Sequence, residues 1–146
     1  MPVSFSIQNR QRKIRFDGSR VKKLAIAALP FCTAAAKQHK LRRKLPETLE
    51  ASIVSDAVIA RVHRDFMNID GPTDVITFPY GEIVLSAETA QCYAKIHGAS
   101  LEEELALYLI HGVLHLLGFD DIQPKDAAVM KREQEKILKA VCREVC

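Results

Sequence analysis

The apolar and polar positions of this 146-residue chain change period several times, and each change marks an element. Residues 3–7 alternate and read as a strand, and residues 14–16 read as a short second one. From Ser19 the spacing lengthens to that of a helix through Val21, Leu24, Ala25, Ala28 and Leu29. Pro30 is expected to kink or interrupt that helix, since proline lacks an N–H and crowds the preceding turn. An alanine-rich stretch then resumes it to about residue 40. Residues 48–54 return to strand character, and 56–67 form a helix with Val58, Ile59, Val62 and Phe66 inward. Pro72 and Pro79 bound the β-prone run 73–78, and Tyr80-Gly81 turns the chain into 82–86. These two runs are expected to be neighbouring strands.

The C-terminal half is helical. Ser86 caps a helix reaching about His97, and Ser100 with Glu103 makes a capping box. The helix opened by that box carries His111 and His115 and stops at Gly118. Gln123-Pro124 starts a last amphipathic helix with Met130, Ile137, Leu138 and Val141 on its buried side. There is no internal repeat, low-complexity tract or linker. The sum is a single α+β domain over residues 1–146: a roughly four-stranded mixed sheet with helices packed largely on one side, and the His-bearing helix central.

Composition narrows the function classes. With 48% hydrophobic and 27% charged residues, the chain reads as a soluble globular domain. Its longest apolar run, 105–119, is shorter than a membrane span and contains both histidines, so no membrane partner is expected. Residues 1–13 lack the apolar core of a signal peptide, which makes the cytoplasm the expected location. The formal net charge of +3 hides an asymmetry: +9 over residues 1–50 and −6 over 51–146. A basic third beside an acidic remainder suits a polyanion-facing surface next to a cation-holding site; a solvated basic face is the plainer alternative. The densest cations are Arg42, Arg43 and Lys44, the candidate phosphate contacts. No aromatic residue is interleaved with them, so a sheet-and-aromatic RNA-reading module is not expected. The four cysteines form no Cys-x-x-Cys pair and read as free thiols, two of them buried. Cys142 and Cys146 share a helix face, which leaves a second metal or a redox pair open.

The stretch His111-Gly112-Val113-Leu114-His115-Leu116-Leu117-Gly118-Phe119-Asp120-Asp121 carries the chemistry. Histidines four apart project from one helix face. A left-handed Gly118 lets the chain double back and bring Asp121 to the two imidazoles. Zinc accepts such nitrogen and oxygen donors together, and three protein ligands leave a position open for water, as in catalytic sites. Packed core histidines are the bland alternative, but burying two unpartnered imidazoles is costly.

The spacing resembles the extended zinc motif of metzincin peptidases. There a glutamate follows the first histidine and serves as general base; here that position is Gly112. The same residues resemble more closely the signature His-Gly-x-Leu-His-Leu-x-Gly-Tyr-Asp-His of the YbeY family of rRNA maturation endoribonucleases. Pro72-Thr73-Asp74-Val75-Ile76-Thr77-Phe78-Pro79 and Gly81-Glu82-Ile83-Val84-Leu85-Ser86 resemble two further family segments, in the same order. The resemblance covers about residues 50–140. It departs at Asp121, where the family has histidine, at Phe119, where it has tyrosine, and at Ser52-Ile53, where the family carries an arginine implicated in function whose role is not carried over. It implies metal-dependent cleavage of single-stranded RNA in 16S rRNA 3′-end maturation and ribosome quality control. One Zn2+ or another divalent ion is expected on His111, His115 and Asp121, and the small ribosomal subunit as partner. Asp120 could orient a ligand or accept a proton and Asp74 could support a ligand; the plainer roles are a loop cap and a turn-to-strand residue. Rival readings are a peptidase with its base supplied from elsewhere, a non-catalytic ribosome-assembly factor stiffened by its metal, and a two-His-one-carboxylate iron oxygenase.

Overall fold

A computed structural model describes residues 3–145. The chain runs β1 (Ser4–Asn9), α1 (Gly18–Gln38), β2 (Thr48–Val54), α2 (Asp56–Met67), β3 (Val75–Thr77), β4 (Glu82–Ser86), α3 (Ala87–His97), α4 (Leu101–Leu116) and α5 (Pro124–Val145). The strands form one sheet in the order β1-β2-β4-β3. β1 with β2 and β2 with β4 are parallel, while the short edge strand β3 runs antiparallel to β4, pairing Ile76 with Val84. This is the α+β arrangement with a four-stranded mixed sheet that the sequence pattern leads one to expect.

Strand alternation sorts side chains between two cores. Leu49, Ala51 and Ile53 of β2 and Ile83 and Leu85 of β4 join a large cluster with α1, α3, α4 and α5. Val54, Ile76 and Val84 face the other way, where Ile59, Val58 and Val62 of α2 cover them together with Phe78. Helix α4 lies in the middle of the large cluster, against α1, α3, α5, β3 and β4. It is accordingly apolar almost all round, with Leu105, Leu109, Ile110 and Leu114 essentially inaccessible.

Local chemistry sets the ends. Asp17 caps α1 by accepting from the Ser19 and Arg20 amides, Ser55 caps α2 and Ser86 caps α3. The Ser100–Glu103 capping box opens α4, with both of its reciprocal bonds formed.

Three sequence expectations change. Residues 14–16 are not a strand: Gln11, buried, bonds the Ile14 amide and carbonyl with its own side chain and so removes the need for a β partner. Pro30 does not interrupt α1, which runs unbroken through it. Pro30 lies on the exposed side of the helix, where the carbonyl deprived of its N–H can face water. Phe66 points outward, 70% exposed, its ring standing edge-on to Phe78 rather than joining Ile59 in the core. Of the cysteines, Cys32 is buried, Cys142 half-buried and Cys92 exposed. Burial pushes the Cys32 thiol up to about 12. Cys146, the other half of the pair envisaged with Cys142, lies outside the described residues.

Candidate metal centre and adjoining cleft

Gly112 is the reason α4 can lie so close to the hairpin of β3 and β4. A Cβ there would stand 3.1 Å from both Ile83 Cδ1 and Thr77 Oγ1, tighter than ordinary packing allows. The position that carries the base in metzincins is thus a backbone contact point, where a side chain would press on Ile83 and Thr77. On a neighbouring face of the same helix, His111 and His115 look into a cleft rather than into the core. Past Leu116 the helix ends, Gly118 takes a φ of 111°, and the chain reverses as expected.

That reversal brings Asp121 over the two rings. Its Oδ2 stands 3.5 Å from His111 Nε2 and 3.4 Å from His115 Nε2. The donor atoms of all three residues lie within 4.8 Å of one another. Donors sitting about 2.0–2.2 Å from a tetrahedral zinc are spaced about 3.4 Å apart, so both nitrogen–oxygen gaps match the edge of such a polyhedron.

The rings' other nitrogens fix what the facing atoms can be. His115 Nδ1 donates to the Phe119 carbonyl at 3.0 Å, an acceptor with no proton to give. His111 Nδ1 bonds Gln134 Oε1 at 2.7 Å. Each neutral ring therefore carries its proton on Nδ1 and turns the Nε2 lone pair toward the Asp121 carboxylate. Burial, the largest influence, pushes His111 below the ordinary imidazole pKa, and His115 acts in the same direction; Gln134, Asp121 and Asp74 oppose it. Three lone-pair donors with no proton among them converge on one point, which suits a cation.

The cleft holding this group has a volume of about 850 Å3. Arg43 and Lys44 line it, together with His63 and Met67 of α2 and Asp74 and Thr77 of the hairpin. The stem of Arg43 passes over Gly118, where a Cβ would meet its Cγ and Cδ at 3.7 Å. Arg42, exposed, is not among the lining residues, so the three cations of that loop divide. Asp74 reaches the cleft wall, and its Oδ1 also accepts from the Val75 amide at 2.8 Å at the start of β3. Asp120 is exposed, accepts from the Ile122 amide at 3.1 Å, and is absent from the cleft lining.

Gln134 and the Phe119 carbonyl were not anticipated. The first had a signal: Gln134 stands four after Met130 and three before Ile137, a polar residue on the inward face of an amphipathic helix. A backbone acceptor has none. Among the described residues no helix is long and apolar enough to cross a membrane.

Comparisons with known proteins match this layout. A protein from Caldicellulosiruptor bescii named Endoribonuclease YbeY is 30% identical over 156 residues, covering 92% of this chain and 95% of its own length. One of the same name from Pelotomaculum thermopropionicum is 32% identical over 155 residues, covering 94% and 95%. Another, from Myxococcus xanthus, is 40% identical over 103 residues, and there the match spans 62% of this chain but 35% of the relative. The solution structure of a Thermotoga maritima protein superposes with a TM-score of 0.63 at 27% identity, over 96% of this chain and 90% of that one. The family model described as Endoribonuclease YbeY matches residues 6–142, from β1 into α5, and so takes in the His-bearing helix and the strand β3 that walls the cleft: the chain belongs to that family.

Proposed function

We propose that this protein is a metal-dependent endoribonuclease that cleaves single-stranded RNA in the cytoplasm, acting in 3′-end maturation of 16S rRNA and in quality control of the small ribosomal subunit. His111, His115 and Asp121 hold one divalent ion, zinc in this reading. The observation that carries it is the convergence of two Nδ1-protonated imidazoles and one carboxylate oxygen at 3.4–3.5 Å, in a cleft also lined by Arg43 and Lys44.

When bound, a divalent ion supplies Lewis acidity toward a phosphoryl oxygen. The chain's own residues do the rest. Arg43 and Lys44 hold the phosphate backbone in the cleft, at a salt-dependent affinity. Gln134 and the Phe119 carbonyl keep both imidazoles oriented. Asp121 adds a negative charge where a third histidine would add none, so the set would suit a hard divalent ion. Asp74, on the cleft wall, keeps β3 in place through Val75 and adds negative charge near His111.

The test is metal analysis of wild type against His115→Ala, alongside cleavage of a single-stranded RNA and of the same sequence as a duplex. Wild type is expected to carry about one divalent ion per chain. It should cut the single strand, spare the duplex, and lose both metal and cleavage in the variant. A wild type that cuts RNA undiminished in EDTA, with no stoichiometric metal, sinks the proposal.

A further inference from the structure

The rim of the cleft carries a second kind of surface, assembled from parts distant in sequence. Phe66, at the end of α2, stands edge-on to Phe78 just past β3, with ring centroids 5.3 Å apart. Phe78 in turn stacks on Tyr80, at 5.7 Å and an interplanar angle of 26°. Phe66 is 70% exposed and Tyr80 68%, and Met67 and Ile69 beside them are about half exposed. Contiguous exposed apolar residues rimmed by polar ones are a feature of interaction surfaces. It is continuous with the cleft, because Met67, next to Phe66, and Pro79, between Phe78 and Tyr80, both line it.

We infer that Phe66, Phe78 and Tyr80 form a base-stacking platform for single-stranded RNA, taking the bases of nucleotides beside the cleft while their phosphates lie toward Arg43 and Lys44. This rests on the ribonuclease reading above and adds what that reading lacks, a reason for preferring single strands. Proteins that hold single strands pair a cationic groove with aromatic rings on which successive bases stack; the bases of a duplex are already stacked on one another and cannot use such rings. Continuity with the candidate ribonuclease cleft favours RNA over a protein partner as the occupant, since the ladder leads directly into the pocket where Arg43 and Lys44 stand beside Asp74 and the candidate ligand Asp121. The Tyr80 ring is tethered at its edge, its hydroxyl donating to Glu82 Oε1 at 2.6 Å, while Phe78 covers one face. The exposed remainder is the face a base would meet.

Fluorescence anisotropy on the metal-loaded protein tests it, using a 2′-O-methyl oligoadenylate that resists cleavage and an abasic strand of equal length. Phe66→Ala and Tyr80→Ala are each expected to raise the Kd for oligoadenylate about 5- to 150-fold, which is about 1–3 kcal/mol per stacked base. Phe66→Tyr and Tyr80→Phe should bind close to wild type, and on the abasic strand all five proteins should bind alike. Both side chains are exposed, so unchanged melting temperatures accompany the result. Alanine variants that bind oligoadenylate as wild type does, while Arg43→Ala weakens binding, overturn the platform and leave the ribonuclease reading standing. A wild type that binds neither strand overturns both. A dimer in sedimentation that Phe66→Ala dissociates, with RNA binding unmoved, overturns the platform too, since the patch would then join two copies of the chain.

Discussion

Helix α4 carries two meetings of histidine with carboxylate, one at each end, and they are built in opposite ways. At its start, Glu104 is buried, and His97 from α3, half-exposed, donates Nδ1 directly to its Oε1 at 2.9 Å. At its end the histidines are the less accessible partners and Asp121 is the exposed one. There both Nδ1 atoms are engaged elsewhere, and the Nε2 atoms face the carboxylate at 3.4 and 3.5 Å without a proton to share. The first pair is closed: donor and acceptor satisfy each other. In the second, three acceptor atoms face one another and their partners' protons point away. Residue types alone do not separate a structural pair from a candidate ligand set; the second partner of each imidazole does.

The largest expected effect breaks that contrast directly. Asp121→Ala is expected to lower metal affinity by more than the roughly 10- to 100-fold that loss of an outer hydrogen-bond partner costs. Its thermal stability without metal should change little, because the side chain is exposed. His97→Ala is expected to do the reverse. Leaving a buried carboxylate short of a partner costs about 1–3 kcal/mol of stability, while metal content holds. Metal analysis and thermal unfolding of the two variants read both halves, and a His97→Ala protein that purifies without metal would erase the distinction.

A finer cut goes through Gln134, which touches no ligand atom but holds His111 Nδ1 at 2.7 Å. Gln134→Leu keeps the bulk and removes the acceptor, so metal affinity should fall about 10- to 100-fold. Gln134→Glu keeps an acceptor at the same place and should retain affinity. Competition against a chromogenic chelator measures both. If the leucine variant binds like wild type, the ring is held by packing and the tautomer argument fails for His111.

How much of this was legible beforehand follows from which interactions are local. The helix ends were readable because their causes sit within a few residues: Ser86 and Ser100 cap their own helices, and Gly98 and Gly118 take positive φ where helices stop. The convergence of His111, His115 and Asp121 was readable for the same reason, being one helix turn plus one reversal. What failed was set by distant partners. Residues 14–16 look like a strand until Gln11 takes their hydrogen bonds. Phe66 looks inward until its exposed place beside Phe78, past the end of β3, is known. The role of Gly112 as a contact point depends on Ile83 and Thr77, nearly thirty residues upstream or more. Periodicity says which side of an element is apolar, but not how far the neighbouring layer extends.

The basic loop offers the smallest effect and the sharpest internal control. Arg42, Arg43 and Lys44 are consecutive, share a charge and are all exposed, yet only Arg43 and Lys44 line the cleft. If phosphates run through the cleft, neutralising each cation that holds one should flatten the dependence of log affinity on log salt by about 0.7 for a single strand. Arg43→Ala and Lys44→Ala should each show that reduction, and Arg42→Ala should leave the slope where it was. Arg43→Ala should add a modest drop in affinity at every salt concentration, since its stem also packs over Gly118 beside the metal-facing turn. Titrations of a single-stranded RNA at several salt concentrations resolve slopes of this size. Equal slopes for all three variants would mean that the RNA follows the loop's outer surface and that the cleft is approached from another side.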